Sequence, residues 1–146
     1  MAARGYAAND VEVIEADLGS LGLGGPLDSA LAAAAPFDII VDDASHADAE
    51  VAGVFEELFF DESIGLAPGG LYVVLDTQPS YRAGGSRLAR FKALSDAMQW
   101  SGTTIVSAAH LEMFVAHTDS KEEAWVDAVE FHRGFVVVRK RGARGA

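Results

Sequence analysis

Two short apolar runs in this 146-residue chain each end in acid. Phe37–Val41 (FDIIV) runs into Asp42 and Asp43, and Leu71–Leu75 (LYVVL) runs into Asp76. His46 follows Asp43 by three residues. In open α/β sheets, ligands bind beyond the carboxyl ends of the strands. If the two runs are neighbouring strands, Asp43 and Asp76 meet at one rim and offer an oxygen-rich seat for a hard divalent cation such as magnesium. A neutral imidazole at His46 could then take a proton from a metal-bound hydroxyl. The same residues have a plainer reading. An acid or serine at a strand end is a common helix N-cap, and Asp42, Asp43 and Ser45 all qualify. A lone loop histidine is most often simply solvated.

Positioning these groups requires a sheet, and the chain reads as alternating strands and helices. Val11–Glu15 (VEVIE) is β-branched and reads as a first strand. Asp17–Pro26 is glycine-rich and reads as a loop. Leu27–Ala35 is alanine-rich and reads as a helix. Phe37–Val41 is short and almost wholly apolar, as parallel strands covered on both faces are. Ala47–Leu58 places Val51, Val54, Phe55 and Leu58 on one helical face. Pro68-Gly69-Gly70 reads as a turn that launches Leu71–Leu75. Leu88–Trp100 has helical spacing of Leu88, Phe91, Leu94, Ala97 and Met98. Trp125–Phe131 and Phe135–Arg139 are separated only by His132-Arg133-Gly134, a connection short enough to require an antiparallel hairpin. The expectation is a three-layer α/β sheet with at least three parallel strands and a terminal hairpin. It occupies residues 1–140, with 141–146 as a frayed tail.

Composition narrows the function classes. There are 22 acidic and 11 basic residues, a net charge of −11, so nucleic acid is a poor partner. The apolar runs fall short of the ~20 residues a membrane-spanning helix needs. No secretory leader is visible at the start, and there is no cysteine for a disulfide or thiolate metal site. The default location is the cytoplasm.

Two blocks resemble one family. FDIIVDDASH (37–46) is similar to the DIIIDDGSH segment, and PGGLYVVLDTQPSY (68–81) to the PGGLYVIEDxxxSY segment, of class I S-adenosylmethionine-dependent methyltransferases of the metal-assisted, macrolide-sugar O-methylating type. The intervening VFEELFF and the closing AVEFHRGFVVVRK (128–140) resemble the same family. The resemblance implies a Rossmann-like sheet and transfer of a methyl from S-adenosylmethionine to a hydroxyl of a sugar or natural-product acceptor, assisted by Mg2+. It implies Asp43 and Asp76 as metal ligands and His46 as general base. It places Asp17 near the cofactor's adenine, with Asp42 also on the cofactor side.

Two departures accompany it. The family's glutamate before Asp76 is Leu75, which removes one metal-directed carboxylate, and the glycine of DDGSH is Ala44. The segment DLGSLGLGG (17–25) superficially resembles a cofactor-cradling glycine loop. Only one short helix separates it from the FDIIVDD strand, where the full domain would place two more strand–helix units, so it reads as an ordinary loop. The front strands and their glycine loop are then missing. The expected partners are a small-molecule acceptor and either a second copy of the chain or a complementing N-terminal segment. The competing reading is a non-catalytic remnant or interaction module of the same fold.

Overall fold

The computed structural model describes residues 11–45, 47–78, 86–99 and 121–143. A 3-10 turn at Leu18–Ser20 precedes helix α1 (Pro26–Ala34), strand β1 (Phe37–Asp42), helix α2 (Asp48–Phe60) and strand β2 (Leu66–Val74). Helices α3 (Ser86–Gln99) and α4 (Lys121–Trp125) follow, then strands β3 (Val126–His132) and β4 (Phe135–Lys140). The four strands form one sheet in the order β1-β2-β4-β3. β1 and β2 are parallel, with Val41 opposite Val73 and Asp42 opposite Val74, so the two expected strands are neighbours. β4 runs antiparallel to β2 and pairs with β3 as the expected hairpin.

Alternation decides which face is buried. Ile40, Tyr72, Val74, Val136 and Val138 point to one side, where they meet Val51, Phe55, Leu58 and Phe59 of α2, Leu88, Phe91 and Leu94 of α3, and Leu27 of α1. Phe55 is fully buried at the centre of this layer. Its ring stacks on Phe59 (4.9 Å between centroids) and meets Tyr72 (5.2 Å) and Phe91 (5.3 Å) edge-on.

Three expectations are corrected. Val11–Glu15 forms no strand; Val13 is 88% exposed, and the segment has no regular structure. β-branched residues favour extended backbone, but a strand exists only where a neighbour takes its hydrogen bonds, and none of the described strands lies beside it. Pro68-Gly69-Gly70 is not a turn before the strand but lies inside β2, which begins at Leu66. There the register jumps: Phe37 pairs with Leu66 and Ile39 with Leu71. Gly69, at φ 82°, turns its amide to the Arg141 carbonyl (3.2 Å), so the bulge is tied to the end of the hairpin. Finally, among the described residues the parallel strands are β1 and β2 alone, and the packing forms two layers. The opposite face of β1 is bare, with Ile39 59% and Val41 57% exposed. Trp100 and residues 144–146 of the expected tail lie outside the described residues.

Lys140 is a buried cation on the covered face, 1% exposed. Its Nζ donates to the Leu66 carbonyl (2.7 Å), sits 4.5 Å from the centre of the Trp125 ring and approaches Glu62 at 3.6 Å. Burial pushes its pKa down, and Glu62 only partly opposes this. The protonated lysine is therefore disfavoured in the fold, and stability should rise with pH as Lys140 passes through its folded pKa, levelling off near the unfolded value of ~10.4. Lys140→Met should abolish that alkaline rise and cost about 1–3 kcal/mol by withdrawing the donor at Leu66. Urea unfolding of both proteins at pH 7 and pH 9.5 measures this; an identical pH dependence in the two would contradict it.

Candidate functional site: a cavity at the carboxyl end of β1

The parallel pairing carries Asp42 to the end of β1 and Asp76 to just beyond the end of β2, on one rim of the sheet. The Leu75 amide donates to the Asp42 carbonyl (2.9 Å), so the position that lacks the expected glutamate holds the two strand ends together through its backbone. Asp76 then adopts a positive φ of 48°, unusual for a residue with a side chain, and turns the chain off the sheet. The Thr77 amide donates to the Gly134 carbonyl (3.0 Å), which brings the hairpin turn to the same rim.

A cavity of about 310 Å³ opens at the end of β1, lined by Asp17, Leu18, Asp42, Ser45, Gly53 and Glu57 among others. Two of the sequence-derived positions, Asp17 and Asp42, thus share one wall space although they lie far apart in the chain. Asp17 is fixed locally: its Oδ1 accepts the Gly19 amide (2.9 Å) at the start of the 3-10 turn. Asp42 is buried at 7% exposure. One carboxylate oxygen accepts the Tyr72 hydroxyl (3.1 Å) and the other accepts the Ala44 amide (3.2 Å). Tyr72 is fully buried, and burial, reinforced by the neighbouring Asp42, pushes its pKa well above the usual phenol value, so it remains a hydrogen-bond donor.

The capping reading of the acids is not realised. The N-cap of α2 is Ala47 and has no side-chain cap. Ser45 instead accepts the Ala47 amide (3.1 Å) and donates to Glu50. Asp43 and Asp76 are exposed at adjacent strand ends. Among the described residues, no three His, Cys, Asp or Glu side chains gather in a way that could hold a metal ion. His46 lies outside the described residues. Sequence reasoning missed Glu50, Gly53 and Glu57 as cavity-wall residues. The one available signal was that they share a face of α2 at spacings of three and four.

The glycine-rich loop is occupied by the chain itself. Gly22 and Gly24 take positive φ (78° and 73°). The amides of Gly22, Gly24 and Gly25 converge on the Asp28 carboxylate at 2.9, 2.5 and 3.2 Å. Such an amide nest is what an anionic ligand would need, and here a side chain of α1 fills it. These bonds, Gly22's foremost, hold the Asp28 pKa below the usual carboxylate value. Their contribution is present above the unfolded pKa of ~3.9 and is lost as pH falls through the lower folded value. Asp28→Ala should release the three glycine amides at neutral pH, read as faster amide hydrogen exchange at positions 22, 24 and 25. Unchanged protection there would contradict this account of the loop.

No protein-family model matches the chain. A stretch of 46 residues is 52% identical to the 8-demethyl-8-alpha-L-rhamnosyl tetracenomycin-C 2'-O-methyltransferase of Streptomyces olivaceus, spanning 32% of this chain and 11% of that protein. A stretch of 70 residues is 39% identical to the mycinamicin VI 2''-O-methyltransferase of Micromonospora griseorubida, spanning 48% of this chain and 15% of that protein. Among solved structures, the fold is similar to MycE methyltransferase of the mycinamycin biosynthetic pathway, in complex with Mg and SAH. The TM-score is 0.66 at 25% identity, over 88% of this chain and 32% of that one. A second MycE structure, which also contains mycinamycin VI, matches with a TM-score of 0.65. The aligned regions thus span a small share of the curated relatives and about a third of the solved one. With its sheet order, its paired acidic strand ends and these likenesses, the chain carries part of the Rossmann-like fold of the mycinamicin-type sugar O-methyltransferases.

Proposed function

We propose that this chain is the portion of an S-adenosylmethionine-dependent O-methyltransferase that walls the adenosine side of the cofactor and carries the acceptor-side acids. The acceptor is a hydroxyl of a sugar or natural product. The observation that supports this best is the cavity at the carboxyl end of β1, lined by Asp17 and Asp42 in a fold similar to MycE with SAH. Asp17, Asp42, Glu50 and Glu57 give the cavity an acceptor-rich, negative lining. Such a wall suits ribose hydroxyls, an exocyclic amine and a sulfonium cation, and it disfavours the phosphates of a dinucleotide.

Asp43 and Asp76, two exposed carboxylates at neighbouring strand ends, are the residues that would hold a magnesium ion, with oxygen donors of the kind a hard cation takes. When bound, the ion would supply Lewis-acid stabilisation of an acceptor hydroxyl. The chain's own residues have separate tasks. Asp42, held by Tyr72 and the Ala44 amide, fixes the direction in which the segment 43–45 leaves the sheet. His46 is the proposed base that takes the hydroxyl proton as the oxygen attacks the methyl carbon and the carbon–sulfur bond breaks.

The bare face of β1 supports a second reading, a non-catalytic interaction module. Titration of the 146-residue chain with S-adenosylmethionine, with and without magnesium, distinguishes the two. The enzyme-portion reading expects weak binding near 1 mM, ~4 kcal/mol, because the amides of its glycine loop are already taken by Asp28. Amide shifts should be confined to residues 17–19 and 42–45. Micromolar affinity would show that the 17–25 loop is a cofactor loop after all. Absence of any shift at millimolar cofactor would favour the interaction module.

A further inference from the structure

Helix α2 carries a glycine near its middle, Gly53. Glycine weakens a helix interior relative to alanine because it has more backbone freedom to lose. Two common reasons for keeping one are absent. The position does not have a left-handed φ, and an added Cβ would meet nothing within 4 Å.

The position lies three residues after Glu50 and four before Glu57, on the same helix face. All three line the cavity. The two flanking carboxylates are drawn aside. Glu50 accepts the Ser45 hydroxyl. Glu57 lies against the loop, so near Gly22 that a Cβ there would stand 2.9 Å from the Glu57 carboxyl carbon. At Gly53 itself the wall of α2 is bare backbone, with Val51 and Val54 of the same helix also in the lining. Asp17, Leu18 and Gly19 contribute further to the cavity lining.

We propose that Gly53 is the size-determining position of this cavity: its missing side chain admits the flat ring of an adenosine-type ligand against the backbone of α2. This role rests on the reading that the cavity takes the cofactor's adenosine end. It adds that the helix gives up stability to make that room.

The test compares the chain with Gly53→Ala and Gly53→Leu by thermal unfolding without ligand and by NMR titration with S-adenosylmethionine and with adenosine. Gly53→Ala should melt about 3–5 °C higher, because alanine is the better helix former and has space. It should bind both probes about tenfold more weakly, the scale of one methyl group misplaced in a pocket, and Gly53→Leu should not bind either. Equal binding by parent and both variants would overturn the proposal and leave the cofactor reading standing. Weakened binding of S-adenosylmethionine with unchanged adenosine binding would overturn the assignment to the ring. An alanine variant less stable than the parent would mark Gly53 as a packing requirement and also overturn it. A parent whose cavity residues respond to neither probe would remove the cofactor reading and this role with it.

Discussion

Gly65→Ala should destabilise the chain by about 3 kcal/mol or more, the largest loss expected of any single methyl added to it. Gly65 connects the end of α2 to β2, and the obstacle there is space. An added Cβ would lie 2.1 Å from the Leu58 carbonyl oxygen and 2.6 Å from that of Asp61. Both atoms belong to the backbone, so no rotamer change relieves the clash. Relief requires moving the end of α2 away from the sheet. That movement would pull Leu58 and the fully buried Phe59 out of register with Leu66, which is itself fully buried. It would also strain the Phe37 amide–Gly65 carbonyl bond (3.0 Å) at the start of the β1–β2 pair. Overpacking costs about 1–3 kcal/mol where side chains can yield. A backbone clash belongs at or above the top of that range, against a total stability of about 5–15 kcal/mol for a domain. The shift in urea midpoint measures the effect. Gly53→Ala is the matched control, because the same substitution on a position with open space should have the opposite sign. A Gly65→Ala variant within about 0.5 kcal/mol of the parent, the scatter of ordinary surface substitutions, would refute the argument.

The second large effect concerns association. β1 stands at the end of the sheet order, so one of its edges has no described neighbour. Its face opposite the core shows Ile39 and Val41 more than half exposed. Parallel strands are ordinarily covered on both faces, and an apolar strand with free backbone groups is a template for another chain. The chain should therefore self-associate as its concentration rises, despite a net charge of −11, because charge elsewhere on the surface does not satisfy the edge's N–H and C=O groups. Replacing both residues, Ile39→Thr with Val41→Lys, should shift the chain toward monomer with little loss of stability, since neither side chain contributes to the buried cluster. A complementing segment that pairs with β1 should have the same effect on association and should raise the melting temperature. Sedimentation velocity across a hundredfold concentration range reads the first result. A parent chain that stays monomeric throughout, with cooperative unfolding at high temperature, would show that the edge is already protected.

Much of this architecture was legible in the residues themselves. FDIIV and LYVVL are short, apolar runs that read as strands, although the cover expected on both faces of FDIIV is absent, with Ile39 and Val41 more than half exposed; the three-residue spacer after Phe131 permits only a hairpin. The acids at Asp42, Asp43 and Asp76 follow those strands directly, so their place at the sheet's rim came with the strands. The neighbouring, parallel relation of β1 and β2 then set the two strand ends side by side.

Other features depended on contacts between segments distant in the chain, which no local pattern encodes. VEVIE has as strong a strand composition as FDIIV, yet it remains unpaired, because a strand is a relation between two segments and its partner is not among those described. DLGSLGLGG offers amides suited to an anion, and only the fold reveals that Asp28 already occupies them. Lys140 stands between Arg139 and Arg141, and its letter carries no sign of burial. Strand alternation turns it inward onto Trp125 and the Leu66 carbonyl. Gly53 and Gly65 are indistinguishable as letters. One faces open space and the other two backbone carbonyls, and that difference arises only when α2 is laid against the sheet.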